Sequence, residues 1–365
     1  MKLTCSSEKL KNALAHADRV TGKNLTLPIL SSILCIASDS KLKLRATNLN
    51  LGIEIEIPAK VEKEGVIAVP GTLLSGFFAN NKTKEDVSLE LQGQTLVVKT
   101  KQGKVQIKTL PYEDFPSIPV VEGAHVKLEA NALVSGLTSV YYACAQTETK
   151  PEIASVSIFD EDNTLTFVAT DSFRLAEKKI KLKNNYGFQP VLLPYKNTVE
   201  LLRILSDVSG DIELVISKNL LAISFGGYYI TSRIVDGAFP DYRQILPKSH
   251  TTEAVVLKSE LQDAIKTGAL FTDKFNQITI SIDPAQKKFI LSAKNTDVGE
   301  NETALDAALK GEAITTTINC RYLLDCLNAI TVDSISIECM AENRPLTIRG
   351  VGDTSYLYLI MPMNR

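Results

Sequence analysis

The side chains that most often carry out catalysis are sparse in this chain of 365 residues. The three histidines, His16, His125 and His250, form no His/Asp/Ser triad or metal-binding cluster by their spacing. No glycine-rich phosphate-binding motif is present. The run Asp160–Asp162 offers oxygen ligands for a divalent cation, but Asn163 continues it between two apolar strands, which favours a solvated turn. The sequence therefore predicts neither an active site nor a metal or cofactor.

A hairpin with an unusual tip lies near the centre of the sequence. The stretch 169–176, Ala-Thr-Asp-Ser-Phe-Arg-Leu-Ala, predicts a strand, a polar turn and a returning strand. Similar stretches occur at 44–52 and 291–299, where an apolar strand again reaches an alanine and then a small polar turn. Only the central copy has an aromatic residue and an arginine after its turn, Phe173 and Arg174. A threefold repeat explains the fold, and function is expected where one copy differs from the others.

Six amphipathic helices are predicted, two in each repeat. The first helix of each repeat has apolar or small residues at positions i, i+3, i+4 and i+7, starting from Leu10, Leu133 and Leu261. Gly136 and Gly268 lie within these faces, so we expect the helices to lie close to a sheet. The second helices contain equivalent residues spaced 125 positions apart, Phe77, Leu202 and Leu327.

Alternating apolar and polar residues predict half-buried strands between these helices. Each repeat has two similar halves, which indicates an α+β fold of antiparallel sheets with two helices on one face. Polar, proline-bearing stretches at 116–125 and 240–252 mark the joints, and predict domains at 1–120, 121–247 and 248–365. Sheets of this kind leave exposed edge strands, which need a partner. If the edges at the two ends of the chain pair with those of other chains, the assembly closes into a ring or extends as a filament.

Composition narrows the class of protein further. The 40 Lys+Arg are balanced by 42 Asp+Glu, which argues against a strongly basic nucleic-acid-binding protein. The first residues lack the apolar segment of a signal peptide, and no run approaches the roughly 18 apolar residues of a membrane helix. The six cysteines form no CxxC pair, so we expect reduced, mostly buried thiols in a cytosolic protein.

Four motifs identify a known family by their order and spacing around the repeat. They are Leu27–Leu30, Ala169–Ala176, Val235–Arg243 and Tyr358–Met363. On these motifs the chain resembles, over its full length, the bacterial DNA polymerase III beta subunit, the sliding clamp. The resemblance implies three domains per chain and a head-to-tail homodimer, which forms a six-domain ring around duplex DNA. Helices would line the hole, and sheets would form the outer wall.

The resemblance also implies function and partners. The chain would be a processivity factor in DNA replication that catalyses no reaction, needs no cofactor and is located in the cytoplasm at the nucleoid. Its partners would be double-stranded DNA, held without regard to sequence, the DNA polymerase III core and the clamp loader complex, which spends the ATP. Other polymerases and repair proteins with short clamp-binding peptides would also bind, and no membrane would be involved.

The family's partner-peptide pocket lies between the second and third domains. By position, it would be lined here by Thr170, Ser172, Phe173, Arg174, Leu175, Pro240, Gln244, Ile245, Asn319, Tyr322, Asn343, Leu359, Ile360, Met361, Pro362 and Met363. Methionine and aliphatic side chains would give an adaptable apolar groove for peptides with Leu and Phe anchors. Arg174 and Tyr322 would orient the polar end of the peptide. Without the family, the same segments would be a plain hairpin tip and an ordinary last strand.

Two further sets of residues follow from the resemblance by position. The dimer contacts would be Val105 and Ile107 of the first domain, with Leu270 and Phe271 of the third. The DNA contacts would be Lys23, Asn24, Lys150, Lys196 and Arg203.

This sequence departs from the family pattern at four positions. Gln244 replaces a frequent basic residue, Ala154 a larger aliphatic one, and Asn24 and Asn364 replace arginines. We therefore expect a pocket of the same type with an altered peptide preference. Two alternatives remain at this point: an open repeat scaffold that binds DNA or proteins without encircling DNA, and an enzyme whose scattered carboxylates are brought together by folding.

Overall fold

The computed structural model of the chain describes residues 1–22, 26–81, 85–147, 149–182 and 186–363. The predicted DNA contacts Lys23 and Asn24 lie outside the described residues, as does Asn364. No helix of the described ranges is long and apolar enough to cross a membrane.

Helices and strands follow one another in the order that the repeat predicts. The helices of the described chain are α1 Ser7–Val20, α2 Gly71–Asn80, α3 Ala130–Val140, α4 Tyr195–Leu205, α5 Lys258–Ala269 and α6 Cys320–Leu327. Short 3-10 turns span Pro28–Ser31, Tyr141–Ala143 and Tyr242–Ile245.

The strands pair antiparallel throughout the described chain. The strands of the first repeat are β1 Lys2–Ser6, β2 Ser32–Ser38, β3 Lys41–Thr47, β4 Leu51–Lys63, β5 Gly65–Pro70, β6 Asp86–Gln92, β7 Thr95–Thr100 and β8 Gly103–Lys108. Those of the second are β9 Ala124–Glu129, β10 Ser155–Glu161, β11 Thr164–Thr170, β12 Arg174–Lys181, β13 Val191–Pro194, β14 Asp211–Ile216, β15 Leu220–Phe225 and β16 Tyr228–Arg233. Those of the third are β17 Thr252–Leu257, β18 Gln277–Asp283, β19 Lys288–Asn295, β20 Gly299–Leu305, β21 Ala307–Gly311, β22 Ile314–Asn319, β23 Ser334–Cys339, β24 Leu346–Gly350 and β25 Tyr356–Ile360.

The chain forms two compact units, each of which contains one sheet that runs from one repeat into the next. The first unit comprises Met1–Asn131 with Val199–Ile234. Its sheet has the order β8-β7-β6-β1-β4-β16-β15-β14-β9, and β2, β3 and β5 join beside β4. In this sheet β4 of the first repeat pairs with β16 of the second.

The second unit comprises Ala132–Thr198 with Val235–Arg365. One of its sheets has the order β13-β10-β11-β12-β25-β24-β23-β17-β21, so β12 of the second repeat pairs with β25 of the third. The other has the order β20-β19-β18-β22. The limits of these two units coincide with the sheets and not with the proline-bearing joints. The predicted domain boundaries at 120/121 and 247/248 therefore stay a proposal.

The helices cover the sheets with the apolar faces that the sequence predicts. Helix α1 packs on α2, β3 and β4, and α5 packs on α6, β19 and β20. Leu10, Leu133 and Leu261 are all buried. The small residues in these faces are needed, since a Cβ on Gly136 would meet the ring of Phe167 at 2.2 Å. The six cysteines are also buried and free, as expected.

The polar turn of the central hairpin is built like its counterpart in the first repeat. Thr170 Oγ1 donates to the carbonyl of Arg174 (2.6 Å) and accepts from the N–H of Ser172 (3.1 Å). Thr47 Oγ1 makes the same two bonds to the residues four and two positions later, both at 3.0 Å. Leu49 and Ser172 both adopt left-handed backbone conformations, with φ of 74° and 77°. The likeness of these two copies therefore extends to the hydrogen bonds of their turns.

Candidate functional site

The tip of the central hairpin lies beside the end of the last strand, within the second unit. Leu175 of β12 stands opposite Leu359 of β25, and Arg174 stands opposite Ile360. Beyond the ladder, the N–H of Met361 donates to the carbonyl of Phe173 (2.8 Å). The fold therefore brings two of the predicted segments together, the hairpin tip and the C-terminal segment.

One face of this strand pair carries an apolar floor. Opposite residues of an antiparallel pair share a face, so Leu175 and Leu359 point the same way. Val168 and Tyr242 pack with them as one buried cluster, and partly buried hydrophobic residues surround it, Phe159, Phe239 and Leu246.

Large apolar side chains are exposed in the three segments that carry the floor. Phe173 at the hairpin tip is 62% exposed, Ile245 of the 3-10 turn 51%, and Met361 after the last strand 39%. Exposed apolar groups gathered beside a buried apolar floor are typical of protein-binding surfaces. We call the floor and these three side chains the apolar site.

A buried hydrogen bond holds the 3-10 turn over the sheet. Tyr242 Oη donates to Glu177 Oε2 (2.5 Å), and the other oxygen of Glu177 lies 2.9 Å from Lys179 Nζ. Burial, together with the neighbouring carboxylate, raises the pKa of Tyr242 above its ordinary value. Arg243 pairs with Glu161, while Gln244 Nε2 donates to a carboxylate within its own turn, Asp241 Oδ2, at 2.6 Å. The turn that carries Ile245 is therefore fixed from both sides.

Arg174 lies on the other face and is only 8% exposed. Its Nε donates to Asp171 Oδ2 (3.0 Å), its Nη1 to Asp325 Oδ2 (2.5 Å) and its Nη2 to the carbonyl of Tyr142 (2.6 Å). Its guanidinium carbon also lies 4.4 Å from the ring centre of Tyr322. The arginine thus fastens the hairpin tip to α6 and to the turn after α3. All of these contacts lie within the chain, and the role of Arg174 in orienting a peptide stays a prediction.

A cluster of buried tyrosines surrounds this arginine, and the sequence arguments missed it. The hydroxyls of Tyr142 and Tyr356 are hydrogen-bonded, and Tyr358 Oη donates to the carbonyl of Tyr322 (3.0 Å). Burial raises the pKa values of Tyr142, Tyr356 and Tyr358 well above the ordinary value. The alternation Tyr-Leu-Tyr in β25 could have indicated this cluster from the sequence, because it places both tyrosines on one face of the strand.

The remaining predicted pocket residues lie in several settings. Thr170 is part of the turn described above, while Ser172 and Pro240 are exposed. Asn319 caps α6, accepting from the N–H of Arg321 (2.9 Å). Pro362 and Met363 follow the last strand, and the N–H of Met363 donates to the carbonyl of Thr317 (2.8 Å). Asn343 is exposed in the turn between β23 and β24. The pocket as a set stays a prediction.

The predicted dimer contacts lie in an edge strand of one sheet and just after helix α5, beside an edge strand of another. Val105 and Ile107 are in β8, at one edge of the sheet of the first unit, and Ile107 is buried there. Leu270 follows α5 and is 73% exposed, and Phe271 comes next. The ring of Phe271 lies beside Gly299, at the start of edge strand β20.

The described DNA-contact candidates are exposed cations. Lys150 lies in the loop before β10, and Lys196 lies in the first turn of α4. Arg203, also on α4, pairs with Glu200 at 2.7 Å. Their exposure allows contact with phosphates, but it is equally common among ordinary surface residues.

Three family models match consecutive parts of the chain. The N-terminal domain of the DNA polymerase III beta subunit matches residues 1–119. Its central domain matches 127–241, and its C-terminal domain matches 243–364.

Individual relatives agree over the full length. A beta sliding clamp of Synechococcus elongatus is 29% identical over 375 residues, covering 100% of this chain and 99% of the relative. Among solved structures, a DnaN sliding clamp from Bartonella birtlesii bound to griselimycin is 26% identical, with a TM-score of 0.94 and full coverage of both chains. The DNA polymerase III beta subunit from Thermotoga maritima is 25% identical, with a TM-score of 0.94 and coverage of 100% and 99%. Matched by all three domain models and by relatives along its whole length, the chain belongs to the DNA polymerase III beta subunit family, the beta sliding clamps.

Proposed function

We propose that two copies of this chain form a head-to-tail ring that holds duplex DNA topologically and tethers the replicative polymerase. The ring acts as a processivity factor without catalysis, in the cytoplasm at the nucleoid. Its three domains per chain span 1–120, 121–247 and 248–365. The observation that carries the proposal is that the chain builds the same junction between repeats twice and leaves the two strands of a third junction at sheet edges.

The two internal junctions join equivalent strands. The strand after the polar turn, β4 or β12, pairs with the last strand of the following repeat, β16 or β25. The strand after the third copy of the turn is β20, and the last strand of the first repeat is β8. Each of these ends its sheet in the described chain. If β8 of one copy pairs with β20 of another, two such junctions close six domains into a ring.

The register of the internal junctions supports a specific register for this third junction. Ile230 of β16 stands opposite Ile53 of β4, and these residues correspond in the repeat to Val105 and Asn301. Val105 should therefore face Asn301 of the second copy. One step along each strand, Lys104 should face Glu302, and directly opposite charges on neighbouring strands stabilise the pairing.

The apolar site supports the proposed binding of partner peptides. Leu175, Leu359 and Tyr242 supply a preformed floor, and Phe173 and Met361 supply adaptable exposed walls. Short peptides with Leu and Phe anchors fit this chemistry. The partners would be the DNA polymerase III core, the clamp loader complex, and other polymerases and repair proteins. The solved clamp from Bartonella birtlesii is described as bound to griselimycin.

DNA contact by exposed cations is the remaining part of the proposal. Lys150, Lys196 and Arg203 would meet phosphates without reading bases. A ring that holds DNA by enclosing it needs few such contacts, and tight ones would slow its movement along the duplex.

This function is tested by cross-linking two copies at the proposed junction and then measuring their retention on circular DNA. The double variant Val105→Cys with Asn301→Cys should form an intermolecular disulfide, because the two residues face each other in the proposed register. The native thiols are buried and should not compete. As a matched control, Val105→Cys with Glu302→Cys places the sulfurs on opposite faces and should not cross-link.

The clamp loader and ATP should then load the reduced ring on nicked circular DNA, before oxidation. We expect the cross-linked ring to stay on the circle at high salt and to be lost once the circle is cut. Equal retention on circular and linear DNA would favour the open scaffold, as would a salt-insensitive monomer in sedimentation.

A further inference from the structure

A cavity of about 470 Å³ opens on the same face of the sheet as the apolar site. Its floor contains Ser157, Phe159 and Leu192. Ser157 stands opposite Val168, which belongs to the buried cluster under the apolar site, so the two floors share one face. Gln189 and Pro190 line one part of the cavity, and the segment 237–243 lines another.

The cavity and the apolar site are continuous. Phe159 and Phe239 pack against the cluster of Leu175 and Leu359, and both also line the cavity. Tyr242 is a member of that cluster and lines the cavity as well. A chain segment bound in the apolar site can therefore continue into the cavity across aromatic side chains.

Hydrogen bonds and ion pairs hold the cavity in shape without a ligand. Tyr242 is fixed by its bond to Glu177, and Arg243 pairs with Glu161 while its guanidinium carbon lies 5.6 Å from the ring centre of Phe159. On the other side, Asp160 Oδ2 accepts from the backbone N–H groups at positions 186 and 187, at 2.5 and 3.1 Å. These bonds anchor the chain just before Gln189. A preformed cavity loses less conformational entropy on binding than one that must first be ordered.

We propose that this cavity is a second subsite for the same partner peptides, and that it takes one aromatic or large aliphatic side chain from the segment flanking the Leu and Phe anchors. The proposal rests on the proposed function of the apolar site. The volume lies within the usual range of ligand sites, and the ring and proline lining suits an apolar side chain. Asp241, Gln189 and Arg243 offer polar groups to the backbone of the peptide.

Three synthetic peptides, one short and two long, test the proposal. The short one carries only the Leu and Phe anchors, and the long ones add a Trp-containing flank at one end or at the other. We expect one long peptide to bind the intact chain roughly tenfold to hundredfold more tightly than the short one, as burial of a large apolar side chain predicts. A flank of the same length with Ser in place of Trp should give no gain.

Filling the cavity should abolish only that gain. Ala238→Trp and Gln189→Trp introduce bulk from two different lining segments, and both positions are exposed, so the fold should tolerate them. Ala285→Trp, an exposed alanine in a turn outside the cavity, is the matched control. In the filled variants the long peptide should bind like the short one, and the affinity of the short peptide should not change.

The outcomes separate this inference from the function on which it rests. If the short peptide binds and neither long peptide gains affinity, the second subsite is wrong and the apolar site stands. If a gain survives both filling variants, the flank binds elsewhere and the assignment to this cavity is wrong. If no peptide binds the intact chain, the proposed function of the apolar site is wrong, and the second subsite, which rests on it, is wrong as well.

Discussion

Nη1 of Arg174 lies 2.5 Å from Oδ2 of Asp325, which ties the central hairpin tip to helix α6. The arginine is buried, whereas the side chain of Asp325 is 42% exposed. Asp171, from the hairpin itself, supplies a second and more buried carboxylate. The tip that carries Phe173 is therefore held from its back by an arginine whose own contacts lie away from the apolar floor.

Removal of the arginine should cost more stability than removal of the exposed carboxylate. We expect Arg174→Ala to lower the free energy of unfolding by about 3 kcal/mol, because it leaves the largely shielded carboxylate of Asp171 without its charge partner. Asp325→Ala should cost about 1 kcal/mol, because solvent screens this partly exposed pair. Urea unfolding measures both. Equal losses of unfolding free energy in the two variants would contradict the conclusion that Arg174 contributes more to stability than Asp325.

Peptide affinity provides a second measurement on the same pair. Asp325→Asn keeps the size of the side chain and lies outside the apolar floor, so a drop in peptide affinity would reflect the position of the hairpin tip. Arg203→Ala, which removes a surface ion pair, is the control and should leave affinity unchanged. If Arg174 instead contacts the peptide directly, Arg174→Ala should weaken binding strongly while Asp325→Asn has no effect.

The buried tyrosines should make the fold sensitive to alkaline pH. Burial raises the pKa values of Tyr142, Tyr356 and Tyr358, so these hydroxyls stay protonated in the folded chain after they would ionise in the unfolded one. The unfolded state then binds fewer protons, and stability falls as pH rises above about 10, the ordinary tyrosine pKa. Below that pH, the contribution is fully present.

Absorbance of tyrosinate and urea unfolding, each followed between pH 8 and 12, check this expectation. Tyr356→Phe should flatten the fall in stability, since it removes one group with a raised pKa. Tyr112→Phe is the matched control, because Tyr112 is 42% exposed. A fall in stability that is the same in both variants would assign the pH dependence to other groups.

Local patterns sufficed to predict most of the fold. The turn at Asp171 and Ser172, the buried faces beginning at Leu10 and Leu133, and the close helix contact at Gly136 all depend on residues near in sequence. Periodicity and turn chemistry act over such distances. The two compact units could not be read in this way, because pairings such as β4 with β16 join strands that are remote in the chain.

The site was harder to predict because its contacts are long-range. The family resemblance named Arg174 and Met361, and the fold brings the hairpin tip and the C-terminal segment together. It gave no sign that Arg174 would be engaged by Asp325, 151 positions away, or by Tyr142. The role of Tyr242 in holding its 3-10 turn was also missed, since its partner Glu177 lies 65 positions earlier in the sequence, in β12.

Two glycines in helices should respond in opposite ways to substitution by alanine. A Cβ at Gly136 would overlap the ring of Phe167, so Gly136→Ala should lower the free energy of unfolding by about 1–3 kcal/mol. Nothing lies within 4 Å of a Cβ at Gly76 in α2, so Gly76→Ala should stabilise by up to about 1 kcal/mol. Thermal and urea unfolding measure both. If both variants were destabilised, the close contact between the helix and Phe167 would not be the reason that position 136 requires glycine.

Charge reversal at the proposed junction should weaken the dimer in a way that a second reversal repairs. Lys104→Glu places like charges opposite each other if Lys104 faces Glu302 of the second copy, and about 1 kcal/mol should be lost at each junction. Glu302→Lys should do the same, and the double variant should regain most of the loss. Sedimentation at low salt measures the dimer dissociation constant, and Lys310→Glu, an exposed lysine on β21, is the control. Additive losses in the double variant would show that the two residues do not face each other, and would exclude this register.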